Sequence, residues 1–408
     1  MANRRYLELY AYPPELDGQS LQGHYLLQGL RENGVEAMPC DPENSLQKTW
    51  LYKTFKPDVV IGVGFWGDIP RMVLDPMKHG LQPVPWFNAD GWIANYQDIF
   101  NSLPLMLTTS NWVKSTYIRD GVKPDNIEVM PIGYDPFVFK PKSSSDPEIK
   151  SLKEMIGLKS NEKMILTIGG DVTSKGAQEM FKALGKINGK FQNWKYVLKT
   201  WESFSARDHG KEENEILDEV GIDRKKIIYL GGKFTPAFMS NLLNACDIYA
   251  APSRLEGFGM IQLEAQACGK PVISINVGGP KDTIVHNKTG FLADVQEEIK
   301  LEREWVYKHM GFKKKHQIEF PEPKTFAYRA HTDQLAEYTL QLLTNDSLRE
   351  KMGQAAAEHA KMHFLYKDVA KKVIDTIEHR IGPLLDKRRQ DGIIPMQSQL
   401  VYSKADIV

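Results

Sequence analysis

Cysteine is scarce in this sequence. The 408 residues contain three, Cys40, Cys246 and Cys268, which are far apart and odd in number. No Cys-x-x-Cys pair occurs, which argues against a disulfide framework or a zinc site. The chain also lacks any run of about 18 apolar residues, so it predicts neither a membrane-spanning helix nor a signal peptide. We therefore expect a cytoplasmic protein.

An excess of either charge is missing as well. Lys+Arg and Asp+Glu are both 52, so the formal net charge is zero. This balance gives no reason to expect a nucleic acid as a partner, and it does not indicate peripheral membrane contact. The apolar fraction of 42% suffices for hydrophobic cores. The length suggests two domains of ordinary size.

What the sequence does contain is a repeated order of strand, turn and helix. A predicted strand over residues 7–12 precedes a helix that begins near Ser20 and ends at Asn33-Gly34. The apolar stretch DVVIGVG is typical of a strand buried in a parallel sheet. Further strands are predicted at PVPWFNADG, LMLTTS, 164–170, 195–200, 226–232, 247–253 and 271–275. Alternating strands and helices predict an α/β fold with two Rossmann-like, doubly wound parallel-sheet domains.

The expected domain boundaries follow from breaks in this pattern. A polar Pro/Ser stretch at 139–151 is predicted to be the linker. We expect an N-terminal domain over 1–145 and a C-terminal domain over 155–365. Residues 366–408 are expected to form a helix that crosses back to the first domain, followed by a tail. The charged segment 296–333 interrupts the second series, and its three consecutive lysines are interpreted as a solvated face.

The most informative stretch is RLEGFGMIQLEAQACGKPV, residues 254–272. Gly257 and Gly259 permit a tight turn before a predicted helix, and the free N–H groups at a helix start favour phosphate. Glu256 could accept hydrogen bonds from sugar hydroxyls. Glu264, about one and a half turns into the helix, could accept them from ribose hydroxyls. Alternatively, Glu256 caps the helix and Glu264 is merely exposed, but the turn and its flanks favour the nucleotide-sugar interpretation.

Two lysines could bring positive charge to such a ligand. Lys175 stands at a predicted helix start, after a strand that ends near Gly170, and Lys199 stands at the end of the next strand. Open α/β sheets bind ligands at the carboxyl ends of their strands. Either lysine could also be an ordinary surface residue. The pair Gly278-Gly279 closes another strand–helix loop, as a binding loop or as a plain turn.

The first half of the chain offers fewer candidates. Gly18, after the first strand, could line the crevice. WFNADGW places Asp90 on a loop past a strand, although Asp-Gly is also a common turn. His24 is interpreted as structural. The neighbouring aromatic residues, such as Trp86 and Trp92, suit either stacking on a sugar ring or packing in the core.

On these residues, the chain resembles the GT-B glycosyltransferases, specifically the retaining family-four type. Glu256 and Glu264 meet the Glu-x7-Glu signature of that family. The stretches PIGYDPFVFKP, GGPKDTIVHNKTGFL and LTNDSLREKMGQAAAEHAKMHF resemble further family motifs, so the resemblance covers nearly the whole chain. It implies two Rossmann-like domains that face a cleft. It also implies a nucleoside-diphosphate sugar donor, bound mainly on the second domain.

The resemblance implies a role for each candidate. Glu256 would contact the hydroxyls of the transferred sugar, Glu264 would hold the ribose, and Lys175 would bind the diphosphate. The backbone near the sugar and phosphates would be that of Gly257, Phe258, Gly259 and Met260. A hexose would be transferred with retention, and the leaving diphosphate would help to remove the acceptor proton.

Two positions depart from the family pattern. Gly170, or alternatively Asp171, stands where an arginine is usual, and Lys199 is expected to supply that charge instead. Asp90 stands where a histidine is common, and it could orient the acceptor or stabilise an oxocarbenium-like state. No Asp-x-Asp occurs, and lysines with a helix terminus can neutralise a diphosphate, so we expect no essential metal and no cofactor.

The sequence leaves the acceptor open among carbohydrate, lipid-linked and small-molecule classes, as it does the sugar and base of the donor. A nucleotide-sugar-binding protein without transfer activity is one alternative function. An epimerase or a phosphorylase on the same architecture is another, although the lysine context of a phosphorylase cofactor is not found. An NAD-dependent dehydrogenase is disfavoured because no Gly-x-Gly-x-x-Gly follows the first strand.

Overall fold

The computed structural model describes residues 4–89, 91–200 and 209–391. These residues divide into two compact units. Unit 1 contains the described residues of 1–133, 300–324 and 366–408, and unit 2 contains those of 134–299 and 325–365. The division differs from the expected domain over 155–365, because the segment 300–324 groups with unit 1.

Unit 1 contains a six-stranded parallel sheet. Its strands are β1 (Arg5–Leu9), β2 (Glu36–Cys40), β3 (Val59–Phe65), β4 (Pro83–Asn88), β5 (Met106–Thr108) and β6 (Ile127–Val129). They pair in the order β2-β1-β3-β4-β5-β6, and the order reverses between β1 and β3. Its connecting helices are α1 (Gly18–Glu32), α2 (Ser45–Thr54), α3 (Asp75–Lys78), α4 (Gln97–Ser102) and α5 (Asn111–Arg119).

Unit 2 contains a second six-stranded parallel sheet. Its strands are β7 (Lys163–Ile168), β8 (Trp194–Thr200), β9 (Ile227–Gly231), β10 (Ile248–Ala250), β11 (Val272–Ile275) and β12 (Gly290–Ala293). They pair in the order β12-β11-β10-β7-β8-β9, which reverses between β7 and β10. Its helices are α6 (Pro147–Ile156), α7 (Ala177–Ile187), α8 (Gly210–Glu219), α9 (Pro236–Ala245), α10 (Met260–Ala267), α11 (Pro280–Thr283), α12 (Thr332–Thr344) and α13 (Asp346–His363). The predicted α/β class with two parallel sheets is confirmed.

The stretch predicted as a linker is an ordered part of unit 2. Asp146 caps α6 by accepting a hydrogen bond from the backbone N–H of Glu148, so the helix begins inside that stretch. Upstream, Asn244 accepts a hydrogen bond from the backbone N–H of Lys142 at 2.8 Å and donates one to the carbonyl of Lys140 at 3.0 Å. The polar residues of this stretch thus belong to an ordered segment that is hydrogen-bonded to α9, and the stretch is not a free linker.

The segment after β12 forms a separate two-stranded sheet. Its strands are β13 (Val295–Val306) and β14 (His316–Ala330), and we call residues 295–330 the arm. The three lysines 313–315 are exposed, as a solvated face requires. The Nζ atom of Lys315 also lies 5.1 Å from the ring centroids of Trp305 and Tyr307.

The described part of the chain ends in a long helix of unit 1, α14 (Tyr366–Gln390), which continues through Pro383. Arg4, directly before β1, forms ion pairs with Glu378 and Asp386 of this helix. The two ends of unit 1 are thereby joined. Across residues 4–89, 91–200 and 209–391, no helix combines the length and apolar character that a membrane span requires.

Candidate functional site

The candidate site of unit 2 lies where its strand order reverses. The ends of β7 and β10 are neighbours there, and each leads through a short loop into a helix, α7 and α10 respectively. Open α/β sheets bind ligands at such reversal points, because the loops on either side diverge and leave a crevice. Two predicted site residues stand on these loops, Lys175 before α7 and Glu256 before α10.

Glycine shapes the loop between β7 and α7. Gly176 adopts a φ of 86°, and any side chain there would overlap the carbonyl of Pro252. A Cβ atom at Gly169 would lie 2.5 Å from Cγ of Lys175, so this glycine leaves room for the lysine side chain. The carbonyl of Gly170 accepts a hydrogen bond from Thr200 Oγ1 at 2.7 Å, which joins the ends of β7 and β8. The loop therefore has little freedom to move Lys175.

Lys175 and Glu256 form an ion pair. Lys175 Nζ lies 2.7 Å from Glu256 Oε2, and Ser253 Oγ lies 3.4 Å from the same oxygen. The two side chains are 27% and 18% exposed, so the pair is sheltered but accessible. The structure therefore brings together two residues that stand 81 positions apart.

The glycine turn before α10 is packed against a second loop. Gly259 has a φ of 94° and is the N-cap of α10, without a side-chain hydrogen bond to the cap. The backbone N–H of Gly279 donates to the carbonyl of Glu256 at 2.8 Å, and a side chain at Gly279 would overlap the backbone of Gly257 and Phe258. The Gly278-Gly279 loop thus packs against the turn that follows Glu256.

Glu264 lies inside unit 2. Its side chain belongs to the buried face of α10 and the residue is 5% exposed. Burial raises the pKa of Glu264 to about 8. The alternative in which Glu264 is merely exposed is therefore wrong, and the N-cap of α10 is Gly259 rather than Glu256. A buried carboxyl group in a ligand crevice is suited to hydrogen bonds with neutral hydroxyl groups.

Lys199 is also buried. It stands next to the last residue of β8 and is 3% exposed, with its Nζ atom 5.3 Å from the ring centroid of Phe234. Burial lowers the pKa of Lys199 to about 8. The side chain is therefore mainly cationic at neutral pH, and its charge is lost in mildly alkaline solution.

Sequence reasoning missed a cluster that holds the two site loops together. The backbone N–H of Arg254 donates to the carbonyl of Ser174 at 2.9 Å, next to Lys175. The guanidinium of Arg254 and that of Arg329 both lie near Glu179 Oε1, at 3.1 and 2.6 Å. We call Arg254, Glu179 and Arg329 the clasp. Arg254 was visible beside the glycine turn, but no local pattern links it to residues 75 positions before and after it.

The remaining candidates belong to unit 1. Gly18 is the first residue of α1, directly after the N-cap Asp17. Asp90 lies outside the described residues. Trp86 and Phe87 are buried in β4, so core packing applies to these two aromatic residues. Within the residues that the structure describes, no group of three or more His, Cys, Asp or Glu side chains could hold a metal ion.

Comparison with known protein families identifies the class of this architecture. The family model described as glycosyl transferases group 1 matches residues 148–308. Solved structures show the same two-sheet GT-B fold. Anabaena Alr3699/HepE, crystallised with UDP and glucose, is 15% identical and has a TM-score of 0.68, over 92% of this chain and 100% of that one. A glycosyltransferase from Rickettsia africae is 16% identical and has a TM-score of 0.69, over 93% and 99% of the two chains.

Two relatives show how far the sequence similarity extends. The uncharacterized glycosyltransferase MJ1607 of Methanocaldococcus jannaschii is 31% identical over 166 residues, which are 41% of this chain and 40% of that protein. The D-inositol 3-phosphate glycosyltransferase of Corynebacterium glutamicum is 25% identical over 271 residues, 66% of this chain and 56% of that protein. The chain thus covers about half the length of these curated relatives.

Proposed function

We propose that this chain is a retaining glycosyltransferase of family four. It moves a hexose from a nucleoside-diphosphate sugar to a hydroxyl group of an acceptor. The observation that carries the proposal is the Lys175–Glu256 ion pair at the strand reversal of unit 2. A cation for the diphosphate and a carboxylate for the sugar hydroxyls stand there within hydrogen-bond distance, beside the start of α10.

In this proposal the donor replaces the internal ion pair. The diphosphate accepts hydrogen bonds from Lys175 and from the backbone N–H groups of residues 257–260, where the helix dipole favours negative charge. Lys175 then leaves Glu256, whose carboxylate becomes free to accept hydrogen bonds from the hexose hydroxyls. Before the donor arrives, the pair keeps both side chains oriented in the crevice. Burial of two opposite charges together is less unfavourable than burial of either alone.

The other residues of unit 2 complete the donor site in this proposal. Glu264 holds the ribose hydroxyls from its buried position on α10. Lys199 supplies the charge that the neutral Gly170 lacks. The Gly278-Gly279 loop keeps the turn over residues 257–259 in place through the hydrogen bond to Glu256.

The proposed reaction breaks the bond between the sugar C1 and the diphosphate oxygen. The acceptor oxygen bonds to C1 from the same face, and the acceptor proton passes to the leaving diphosphate. The charge that develops on the diphosphate is stabilised by Lys175 and the start of α10, which are already oriented. Asp90 orients the acceptor. The reaction requires no essential metal and no cofactor, and we place it in the cytoplasm.

The test begins with donor binding. Thermal-shift measurements with UDP, GDP and ADP sugars find the base, and UDP-glucose comes first because Anabaena HepE was also crystallised with it. Hydrolysis and transfer are then followed with D-inositol 3-phosphate, glycerol and octyl glucoside as acceptors, with and without EDTA. Glu256→Gln should lower turnover about 10²- to 10³-fold. The control Glu215→Gln changes a side chain of α8 that is 66% exposed.

The same measurements separate the alternatives. A stabilising shift without turnover for every acceptor would favour a binding protein, which the neutral Gly170 also allows. Conversion of the donor sugar to its epimer in the absence of acceptor would favour an epimerase. If none of the nucleotide sugars stabilises the protein, or if Glu256→Gln retains full activity, the proposal is wrong.

A further inference from the structure

The arm contacts the loop that follows β4 in unit 1. We call residues 91–96 the β4 loop and residues 308–324 the arm tip. The ring centroid of Trp92 lies 5.2 Å from that of Trp66, at the end of β3, and 5.2 Å from that of Phe320 in the arm tip. Trp66 is buried in the core of the unit. The position of Trp92 therefore depends on the arm as well as on the sheet.

A second contact joins a side chain of the β4 loop to the backbone of the arm tip. Asn95 Nδ2 lies 3.4 Å from the carbonyl oxygens of Met310 and Gly311. Tyr96 adopts a φ of 69°, which is uncommon for a residue with a side chain. A side chain at Gly311 would overlap the Tyr96 hydroxyl group, so the arm must have glycine there. Such a backbone conformation persists only where its surroundings determine it.

The third contact is an ion pair in the interior. Lys324 Nζ lies 2.7 Å from Asp120 Oδ1, and the second oxygen of Asp120 accepts a hydrogen bond from the backbone N–H of Ile93 at 2.7 Å. The Asp120 side chain is 2% exposed. Burial alone would raise the pKa of Asp120, but hydrogen bonds from Arg119, Lys324 and Ile93 lower it overall. Lys324 thus acts on the β4 loop through Asp120.

We propose that the arm tip is a positioning element for the acceptor: it holds the β4 loop in the conformation that receives the acceptor and so determines which acceptors are used. The inference rests on the proposed function, which assigns the acceptor to Asp90, the residue directly before this loop in the sequence. Ligands of open α/β sheets bind at the carboxyl ends of strands, and the β4 loop leaves such an end. The match to the family model ends at residue 308, so the arm tip beyond that residue lies outside the matched region.

Two variants of the full chain separate this role from donor binding. Lys324→Met removes one of the two cations that contact Asp120, the other being Arg119, and Phe320→Ala removes the ring beside Trp92. The matched controls are Lys314→Met, an exposed lysine of the arm tip, and Phe326→Ala, a 50% exposed ring of β14. Three quantities are measured: donor hydrolysis without acceptor, the KM for the acceptor that the parent uses among those named above, and hydrogen exchange of residues 91–96.

Lys324→Met should raise the acceptor KM about tenfold, as loss of a hydrogen bond to a charged group typically does. Phe320→Ala should raise it up to about tenfold, because the ring contact with Trp92 is lost. Both variants should also speed up hydrogen exchange of the β4 loop and leave donor hydrolysis within twofold of the parent. Lys324→Arg, which keeps the charge, should restore most of the acceptor affinity. The two controls should behave like the parent. If Phe320→Ala melts too early to assay, Phe320→Leu removes the ring but retains apolar volume.

The outcomes distinguish this inference from the proposed function. An unchanged acceptor KM in Lys324→Met and Phe320→Ala overturns the inference, whether or not hydrogen exchange rises. Equal loss of donor hydrolysis and transfer overturns it as well, because the arm tip would then act on stability alone. If the parent neither binds nor hydrolyses any donor, the proposed function fails. In that case the inference is still tested by hydrogen exchange: unchanged exchange of residues 91–96 in both variants would show that the arm tip does not position the β4 loop.

Discussion

The two sheets of this protein reverse their strand order at different places and carry different chemistry there. In unit 2 the reversal lies between β7 and β10, and the loops that follow carry Lys175 and Glu256. In unit 1 it lies between β1 and β3, and the residues that follow these strands include Tyr10 and Trp66, both buried. A reversal of strand order thus adjoins a charged crevice in one unit and a packed aromatic strand end in the other.

The comparison shows what topology decides and what it leaves to side chains. A reversal of strand order makes neighbouring loops diverge, so it determines where a ligand can enter. Charged side chains and glycine turns decide which ligand binds there. The reversal of unit 2 combines a lysine, a carboxylate and turns with positive φ, which suits an anionic ligand with hydroxyl groups. In unit 1, the arm tip instead packs against aromatic rings that follow the ends of strands.

The sharpest way to break this comparison is to remove the cation from unit 2. Lys175→Met should reduce donor hydrolysis about 10²- to 10³-fold, because the lysine stabilises charge on the leaving diphosphate in the proposed reaction. The control Lys211→Met removes a lysine of α8 that is 90% exposed, and it should behave like the parent. Steady-state hydrolysis of the donor measures both. A loss of less than threefold in Lys175→Met would mean that the charged crevice is not the donor site.

A second substitution tests whether the crevice of unit 2 is held by backbone packing. Gly279→Ala should destabilise the protein by about 1–3 kcal/mol, as overpacking does, since the added carbon would overlap the backbone of Phe258. Donor affinity should fall with it, because the turn over residues 257–259 must move. Gly189→Ala is the control, since nothing lies within 4 Å of its added carbon. Urea denaturation gives the free energy of unfolding, and equal values for the two variants would contradict the packing argument.

Most of the fold could be predicted from the sequence, and the strands of the two parallel sheets that were missed share one property. β2, β6 and β12 are all edge strands of their sheets. An edge strand is paired on one side only, so it can be short or contain proline. β2 contains Pro39, and β6 has only three residues. The continuous apolar runs that predict strands belong to the centre of a parallel sheet.

The candidate site was predictable where its residues share a local motif. Glu256, Glu264 and the glycine turn stand within one short stretch, so the sequence alone indicates a donor site there. The clasp and the arm tip were not predictable, because contacts such as Arg329 with Glu179 and Lys324 with Asp120 join positions 150 and 204 residues apart. A charged segment is usually a solvated face, and no sequence pattern distinguished the lysine that pairs with Asp120 from the exposed ones.

Substitution of the buried Glu264 of unit 2 should have smaller effects, and these should be opposite in sign: higher stability but weaker donor binding. Burial raises the pKa of Glu264 from 4.5 to about 8, so between these pH values the unfolded chain ionises while the folded chain keeps the proton. This group therefore lowers stability as pH rises through that window, and the loss is complete above about pH 8. Glu264→Gln removes the loss and should stabilise the protein by a few kcal/mol at pH 8.5, less at pH 6.

The same Glu264→Gln variant should bind the donor about tenfold more weakly, because the amide NH2 group cannot accept a hydrogen bond from the ribose as a carboxyl oxygen can. Thermal unfolding at the two pH values and donor titration measure both effects. Glu350→Gln, an exposed glutamate of α13, is the control. A variant that is less stable than the parent at pH 8.5 would show that Glu264 is stabilised in its buried position. The interpretation of Glu264 as a destabilising buried group in the donor crevice would then be wrong.

The smallest expected effect concerns the pH dependence of donor affinity, which only the charged crevice of unit 2 should show. Burial lowers the pKa of Lys199 from 10.5 to about 8. The cation that attracts the diphosphate is therefore present below that pH and lost above it, so donor affinity should fall severalfold between pH 7 and pH 9. The contribution of Lys199 to stability should instead rise between about pH 8 and 10.5, since the unfolded chain holds the proton that the folded chain has released.

Glu264 titrates near the same pH, so the variant Lys199→Met is needed to isolate the effect of the lysine. Lys199→Met should flatten the plot of donor affinity against pH, and Lys195→Met on the same strand should not. If the profile of Lys199→Met falls as steeply as that of the parent, the charge that Gly170 lacks does not come from Lys199.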